Sequence, residues 1–195
     1  MDGDTRETIR AVALELFSTK GFEQTSLREI AERVGLTKAS LYYHYSSKQA
    51  LLYAVVEPVL TGWRAIAHEA EALDHTPVNV RHVVEQCLDV LLRNRSVVGV
   101  FQRDPAGVAV VAKSLWEDFL ALGQQLVGWL AGPASTMAER LRAVAAMEVL
   151  GAVLTAPTYG VDSTEPELRD VLLRAMLSVL GLPAEPGASE MRSAG

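Results

Sequence analysis

The sequence predicts an all-α protein of about nine helices, and three observations support this fold class. Apolar residues recur at helical spacing along most of the 195-residue chain, whereas the alternation of period two that marks strands is almost absent. No Asn-Gly or Asp-Gly pair joins two apolar runs, as it would in a hairpin. The hydrophobic fraction of 49% is large enough for a sizeable core, which excludes a disordered chain.

The N-terminal helices can be placed from their start and stop signals. A first helix runs from about Thr5 to Lys20 and stops at Gly21. A second helix follows Ser26, whose hydroxyl can cap it while Glu29 reaches back in a capping box. We expect this helix to be short and amphipathic.

The next two helices are separated from it by turns. Residues 35–37, Gly-Leu-Thr, form a turn whose threonine caps a third helix from Lys38 to about Tyr43. A long fourth helix extends from Lys48 to Ala72, with a bend at Pro58. Five further helices are predicted: Pro77 to about Arg93, Ala106 to Val111, Lys113 to Leu130, Ala134 to Ala156, and about Thr164 to Gly181.

Charge and composition restrict the class of protein. The formal net charge of -6 argues against a nucleic-acid partner, but residues 1–50 hold seven basic and seven acidic side chains, so residues 51–195 carry the whole excess. One cysteine, Cys87, excludes a disulfide framework and a multi-cysteine zinc site. The N-terminus lacks an apolar stretch, and the longest nearly uncharged run, Ala143 to Pro157, is shorter than the roughly 20 residues that span a bilayer. We therefore expect a soluble cytoplasmic protein without a signal peptide or a membrane partner.

Residues 26–45 carry the most specific pattern. Two short helices around a three-residue turn with glycine are typical of a helix-turn-helix, whose second helix enters the DNA major groove. Any two short helices joined by a glycine turn would look similar. However, Tyr42, Tyr43 and Tyr45 cannot all be buried by one short helix, and an exposed aromatic patch usually marks a partner.

Residues 6–55 resemble the DNA-binding domain of TetR-family transcriptional regulators. The resemblance is carried by TSLREIA at 25–31, by VGLTKASLYYHY at 34–45, and by Lys48, Leu51 and Leu52, after a first helix with Ala13, Leu16, Phe17, Gly21 and Phe22. Tyr45 departs from the family, which usually has Phe there, so its hydroxyl needs a partner or solvent and we expect a core ring with an exposed tip. Residues 56–195 agree with the family only in length and helicity.

The resemblance implies a division into three parts and a set of DNA contacts. Residues 1–47 would be the helix-turn-helix domain, 48–182 a helical ligand-binding and dimerisation domain, and 183–195 a disordered tail. The implied DNA-binding residues lie at the start of the second helix, on the third helix and at the start of the fourth: Thr25, Ser26, Arg28, Lys38, Ala39, Ser40, Tyr42, Tyr43, His44 and Lys48.

A homodimer is expected because one recognition helix reads only a few base pairs. The last two long helices carry apolar stripes that could pair in a four-helix bundle, or could simply be core within one chain. The interface residues predicted from these stripes are Met137, Leu141, Val144, Leu168, Val171, Leu172, Ala175 and Val179.

The middle of the chain is rich in aromatic residues. Since TetR-like proteins enclose a ligand cavity in this region, the predicted pocket residues are Trp63, Phe101, Trp116, Phe119 and Tyr159. Aromatic residues at helical spacing are more often plain core, so the same residues also fit a closed core. The effector itself is not identified by the sequence.

The expected function is that of a homodimeric repressor of operator DNA that a small hydrophobic effector releases. A regulator or activator of the same fold that senses no ligand is the alternative. An enzyme is disfavoured because no catalytic motif occurs, and no cofactor is expected. His68, His75 and His82 recur every seven residues, but Pro77 interrupts any common helix, so solvated histidines are favoured over a metal site. For Cys87, a small buried hydrophobic role is favoured over redox sensing.

Overall fold

The computed structural model describes residues 2–104, 113–155, 160–161 and 163–183, and every regular element among them is an α-helix. The predicted all-α fold is therefore confirmed. In chain order the helices are α1 Asp2–Lys20, α2 Leu27–Val34, α3 Lys38–His44, α4 Lys48–Ala72, α5 Pro77–Arg93, α6 Arg95–Arg103, α7 Lys113–Ala131, α8 Met137–Val149, α9 Ala152–Thr155 and α10 Glu165–Leu180.

Two differences from the predicted elements have a local cause. Helix α6 was not predicted, because it begins only one residue after α5 and no proline or glycine separates the two. The predicted helix from Ala134 to Ala156 is divided at Leu150 and Gly151, whose amides bond to carbonyls three residues back, at 3.1 and 2.9 Å, instead of four. The predicted helix at 106–111 and tail at 184–195 lie outside the described residues.

The chain forms two compact units, which divide it differently from the predicted boundary at residue 48. The first unit comprises residues 1–61 and 94–119, and the second comprises residues 62–93 and 120–195. Helix α4 contributes its first part to one unit and the remainder to the other. The assignment of functions to residues 1–47 and 48–182 stays a prediction.

The first unit is built around α1. Its apolar face buries Ile9, Ala13 and Phe17, and α1 packs against both α2 and α6. The rings of Phe17 and Phe22 meet edge to face, with their centroids 5.2 Å apart. The loop that joins α1 to α2 is therefore anchored in this core, which fixes where α2 begins.

Helix α4, with 25 residues, is the longest helix among the described residues. It continues through Pro58. By length and composition alone it could cross a membrane, although the longest nearly uncharged run in the sequence lies elsewhere, at 143–157. Its apolar residues from Leu51 to Leu60 are largely buried.

The second unit is formed mainly by α5, α8 and α10. Helix α10 packs against both of the others, and its Arg169 reaches Asp89 on α5 with two hydrogen bonds of 2.7 and 3.3 Å. Both α8 and α10 begin with a complete capping box, Thr136 with Glu139 and Thr164 with Glu167. In each box the hydrogen bonds from the threonine lower the pKa of the glutamate.

The histidines and the cysteine of this region have ordinary structural surroundings. His75 Nε2 lies 3.1 Å from the carbonyl of Leu130, and His82 Nε2 lies 2.9 Å from Glu69. Among the described residues, no three His, Cys, Asp or Glu side chains converge as metal ligands would. Cys87 is fully buried, and burial raises the pKa of its thiol to about 12, so the reactive thiolate is suppressed.

Candidate nucleic-acid interface

Helices α2 and α3 are joined by a tight turn whose geometry follows from three residues. The Ser26 hydroxyl accepts a hydrogen bond from the Glu29 amide at 3.1 Å and caps α2. Gly35 ends α2 in the left-handed conformation, with φ of 77°, and its amide bonds back to the helix. The Thr37 hydroxyl then caps α3 by accepting from the Ser40 amide at 3.1 Å. This arrangement is a helix-turn-helix, as the sequence predicted.

The third helix is held to the domain from one side. Leu41 is fully buried, and Tyr45, at the end of α3, buries its ring. The Tyr45 hydroxyl donates to the carbonyl of Arg6 at 3.3 Å, and the Arg6 guanidinium lies 5.2 Å from the ring centroid. Tyr45 is therefore core, as expected, and its hydroxyl has a partner within the chain, where an exposed tip was expected.

The opposite side of α3 is exposed and rich in hydrogen-bonding groups. Tyr42 is 44% exposed and Tyr43 is 79% exposed, while Lys38 places its ammonium 5.7 Å from the centroid of the Tyr42 ring. Ala39 is also exposed, and Ser40 and His44 are half-buried. The six residues predicted on α3 thus form one accessible face, which we call the α3 face.

A groove of about 460 Å³ adjoins the α3 face. It is lined by residues 23–28, by Lys38 and Tyr42 of α3, and by residues 46–49 at the start of α4. The N-terminus of α2 opens into this groove, and the positive end of a helix dipole attracts anions. Basic and hydroxyl groups from three segments converge here, an arrangement that can hold phosphate groups.

Thr25 corrects the list of predicted DNA contacts. Its side chain is 1% exposed, and its hydroxyl donates to the carbonyl of Gly21 at 2.8 Å. Its amide donates to the carbonyl of Phe22 at 3.2 Å. Because both donors are used inside the domain, Thr25 shapes the loop before α2 and has no donor left for DNA.

Lys48 also differs from its predicted environment. Its half-buried side chain directs the ammonium to the carbonyls of Phe22, Glu23 and Thr25, at 2.9, 3.3 and 3.1 Å. The sequence assigned this ammonium to a phosphate. The structure assigns its hydrogen bonds to the loop that precedes α2.

Arg28 lies on the exposed side of α2 and is paired. Its Nε donates a hydrogen bond to Glu32 at 2.7 Å, and this bond raises the pKa of the guanidinium above its ordinary value. Both side chains are largely exposed, so the pair contributes little stability and can be exchanged for a phosphate at small cost. Arg28 is therefore accessible but has a competing partner.

Sequence reasoning missed several residues that line the groove. Gln24, Ser46 and Gln49 face it, and Ser47, whose hydroxyl accepts from the Ala50 amide at 3.0 Å, lies beside them. Ser46 and Ser47 were interpreted only as the opening of a helix. Their position next to the start of α2 could not be found from sequence spacing, because it depends on how α4 packs in the first unit.

The predicted dimer residues in the second unit differ in exposure. Leu168 and Leu172 are buried within their own chain, which leaves little of either side chain for a partner. Met137, Leu141, Val144 and Val171 are exposed, and Ala175 and Val179 are half-buried. On α10 the five residues share one side of the helix, and burial decreases across it, from Leu168 and Leu172 through Ala175 and Val179 to the exposed Val171. We call Met137, Leu141, Val144 and Val171, with Ala175 and Val179 beside them, the α8–α10 stripe.

The predicted ligand pocket is only partly covered by the structure. Tyr159 and the side chains of Phe101 and Trp116 lie outside the described residues. Trp63 and Phe119 are both half-buried. The pocket therefore stays a prediction.

The fold and the α3 face define a helix-turn-helix protein. Residues 9–55 match the family model of bacterial regulatory proteins of the tetR family. The resemblance found in the sequence is therefore confirmed for the N-terminal domain.

Individual relatives agree with this assignment. The HTH-type transcriptional regulator RutR of Escherichia coli K12 is 42% identical over 60 residues, which are 31% of this chain and 28% of RutR. The tetracycline repressor protein class C of Escherichia coli is 43% identical over 56 residues, or 29% and 26% of the two chains. The matches thus span less than a third of these curated relatives.

A solved structure extends the likeness of the fold to nearly the whole chain. Mycobacterium smegmatis AmtR superposes with a TM-score of 0.76 at 24% identity, covering 97% of this chain and 91% of AmtR. At this identity the superposition shows a shared fold and does not identify a ligand or a target.

Proposed function

We propose that this protein is a homodimeric transcriptional repressor that binds operator DNA through the α3 face and is released by a small hydrophobic effector. The α3 face is the observation that carries the proposal. It presents hydroxyl, ammonium and imidazole groups on a short helix whose other side is fixed in the core. Base edges in the major groove and phosphate oxygens are the partners that such groups suit.

We propose fewer DNA contacts than the sequence predicted. Lys38, Ala39, Ser40, Tyr42, Tyr43 and His44 would face the major groove and its flanking phosphates. Ser26 and Arg28 would meet phosphates at the N-terminus of α2, where the helix dipole favours an anion. Thr25 and Lys48 are left out because their donors are engaged inside the domain.

The homodimer is proposed from the α8–α10 stripe. Exposed aliphatic side chains at positions 137, 141 and 144 follow helical spacing and form an apolar row on α8. Val171 adds an exposed apolar side chain from α10. A two-fold pairing of two such helix hairpins would bury these rows as a four-helix bundle. It would also present two α3 faces to successive turns of the DNA major groove.

Release by an effector is proposed as a coupling between two sites. The effector would bind a conformer whose two α3 faces no longer match adjacent major grooves. The tetracycline repressor among the relatives is named for repression, which supports this direction of control over activation. A hundredfold loss of DNA affinity requires about 2.7 kcal/mol of differential effector binding. A cytoplasmic location is proposed as well, since α4 buries most of its apolar residues from Leu51 to Leu60.

The proposal is tested with DNA chosen by the protein itself. The full chain is used to enrich a random-sequence duplex pool, and fluorescence anisotropy then measures its affinity for the enriched duplex. Lys38→Ala and Tyr42→Ala should each weaken binding, while Lys20→Ala, an exposed lysine paired with Glu29 outside the groove, should not. Equal binding by all variants would contradict the proposal. Screening hydrophobic compounds for release of the same duplex separates a ligand-responsive repressor from a regulator that senses nothing.

A further inference from the structure

The loop between α1 and α2 determines where the DNA-facing end of α2 begins. It starts at Gly21, whose φ of 98° turns the chain away from α1, and ends at Thr25, directly before the capping residue Ser26. Within the loop, the Thr25 hydroxyl and amide reach back to Gly21 and Phe22. These internal bonds leave the carbonyls of Glu23 and Thr25, and a lone pair on that of Phe22, for partners from outside the loop.

Lys48, at the first position of α4, supplies those partners. An ammonium group has three N–H donors, and the three carbonyls at 2.9, 3.3 and 3.1 Å are enough acceptors to use all of them. The Phe22 ring lies under the same group, with its centroid 4.4 Å from Nζ. A phosphate could take a donor from this ammonium only if a loop carbonyl gave one up.

Asp104, at the end of α6, holds the loop from a second element. Its Oδ2 accepts a hydrogen bond from the Glu23 amide at 2.8 Å. Hydrogen bonds that involve a charged partner are stronger than those between neutral groups. The middle of the loop is thus bonded through its carbonyls to α4 and through an amide to the end of α6, and all of these residues belong to the first unit.

We propose that Lys48 and Asp104 are positioning residues that fix the entry of α2 into the groove, and that Lys48 is not itself a phosphate contact. The inference rests on the proposed DNA-binding function, since the groove is the surface that α2 is positioned to form. Removing either residue releases the loop, so the Ser26 end of α2 is presented to DNA in a broader range of orientations.

A salt titration separates positioning from phosphate contact. Each neutralised phosphate contributes about 0.9 to the slope of log K against log salt concentration. Lys48→Met should weaken binding of the enriched duplex about tenfold, through lost hydrogen bonds to the loop, and leave this slope unchanged. Lys38→Met, the matched control on the α3 face, should reduce the slope by about 0.9. A reduction of that size in Lys48→Met would overturn the proposal.

Rescue by a neutral donor gives a second readout. The Gln amide can donate two hydrogen bonds to the loop carbonyls but carries no charge. Lys48→Gln should therefore regain part of the affinity that Lys48→Met loses and keep the wild-type salt slope, whereas a neutral amide in place of a phosphate-bound ammonium would reduce that slope by about 0.9. Equal loss in the two variants would count against the positioning role.

Amide exchange in the free protein tests the loop without DNA. Lys48→Met and Asp104→Ala should each speed exchange of the Glu23 and Thr25 amides about tenfold or more, while Lys38→Met leaves both unchanged. Circular dichroism checks that each variant is folded. If Lys48→Met does not fold, the exchange rates of Asp104→Ala alone test the proposal. Unchanged exchange in the folded variants would contradict the proposal. Because this arm uses no DNA, it remains decisive even if the protein binds no duplex and the proposed function fails.

Discussion

The α3 face and the α8–α10 stripe, one in each compact unit, differ in their chemistry. The aromatic residues of the α3 face, Tyr42 and Tyr43, end in hydroxyl groups and lie beside Lys38. The exposed residues of the α8–α10 stripe, such as Met137 at 80% exposure and Leu141, carry no hydrogen-bonding group. An amphipathic surface suits a hydrated, charged partner such as DNA, whereas a purely aliphatic one is stabilised by burial against another protein surface.

The two surfaces also differ in how the chain supports them. The α3 face depends on local signals that lie within 20 residues: two side-chain caps, a left-handed glycine and one buried leucine. The α8–α10 stripe depends on two helices that residues 150–164 separate, each started by its own capping box. A surface of the first kind can be recognised as a motif. One of the second kind is defined only by packing.

The largest effect is expected from charging the aliphatic surface. Val144→Glu combined with Val171→Glu should convert the protein to monomers and lower DNA affinity at least about a hundredfold, because the second half-site is no longer engaged by the same particle. Sedimentation velocity measures the assembly, and anisotropy measures the affinity.

A matched control exists for this variant. Val78 on α5 is 56% exposed, as is Val171, but it does not belong to the stripe. Val78→Glu should leave both the sedimentation coefficient and the DNA affinity unchanged. A dimer that survives the paired substitution would show that the α8–α10 stripe serves another purpose.

Truncating the aromatic surface should have a smaller effect on affinity and none on assembly. Tyr42→Ala removes a hydroxyl that can bond a phosphate, and a hydrogen bond to a charged group corresponds to about ten- to a hundredfold in affinity. The dimer should sediment as the wild type does. If Tyr42→Ala instead disrupted the dimer, the assignment of the two surfaces to two partners would be wrong.

Removing one helix cap from each unit separates stability from binding. Ser26→Ala and Thr164→Ala should each lower the free energy of unfolding by about 1 kcal/mol, since each exposes helix amides that the hydroxyl satisfied. Only Ser26→Ala should also weaken DNA binding, because its helix begins in the groove. Urea denaturation and anisotropy on the same samples check both expectations. A binding defect of equal size in Thr164→Ala would remove the distinction.

The smallest expected effect is a gain in DNA affinity. Glu32→Gln frees Arg28 from its exposed partner and removes a negative charge beside the groove, so DNA affinity should rise about two- to threefold at low salt. Glu15→Gln breaks another exposed pair, with Arg33, in the same unit and is the control. Anisotropy at two salt concentrations tests this, since added salt should reduce the gain. If Glu32→Gln bound DNA more weakly than the wild type, the expectation that Glu32 repels a nearby phosphate would be wrong.

The sequence predicted the helix-turn-helix because its determinants are local. Ser26, Gly35 and Thr37 act on neighbouring amides, and helical spacing places Leu41 inward and Tyr42 outward whatever the rest of the chain does. Asp104 and Lys48 illustrate what could not be predicted. Their bonds to residues 22–25 span 81 and about 25 positions, and only the packing of α4 and α6 in the first unit brings them together.

The unequal burial of the α10 residues was missed for a related reason. Leu168, Val171, Leu172, Ala175 and Val179 all fit one helical apolar pattern, so the pattern predicts a helix with apolar contacts but not which of its residues meet their own chain. Helix α10 packs against α5 and α8, and Leu168 and Leu172 are buried while Val171 is exposed. Helix α6 was missed because a one-residue interruption leaves no composition signal.

The sequences of the enriched DNA test the central claim most directly, because they report binding and symmetry together. A dimer that reads DNA with two α3 faces should enrich inverted half-sites whose centres lie about one helical turn, roughly 10 base pairs, apart, or a multiple of it. The account predicts such an inverted repeat for the full chain, and weaker enrichment of the same repeat for the Tyr42→Ala variant. Enrichment of no sequence, or of a single asymmetric half-site, would contradict it.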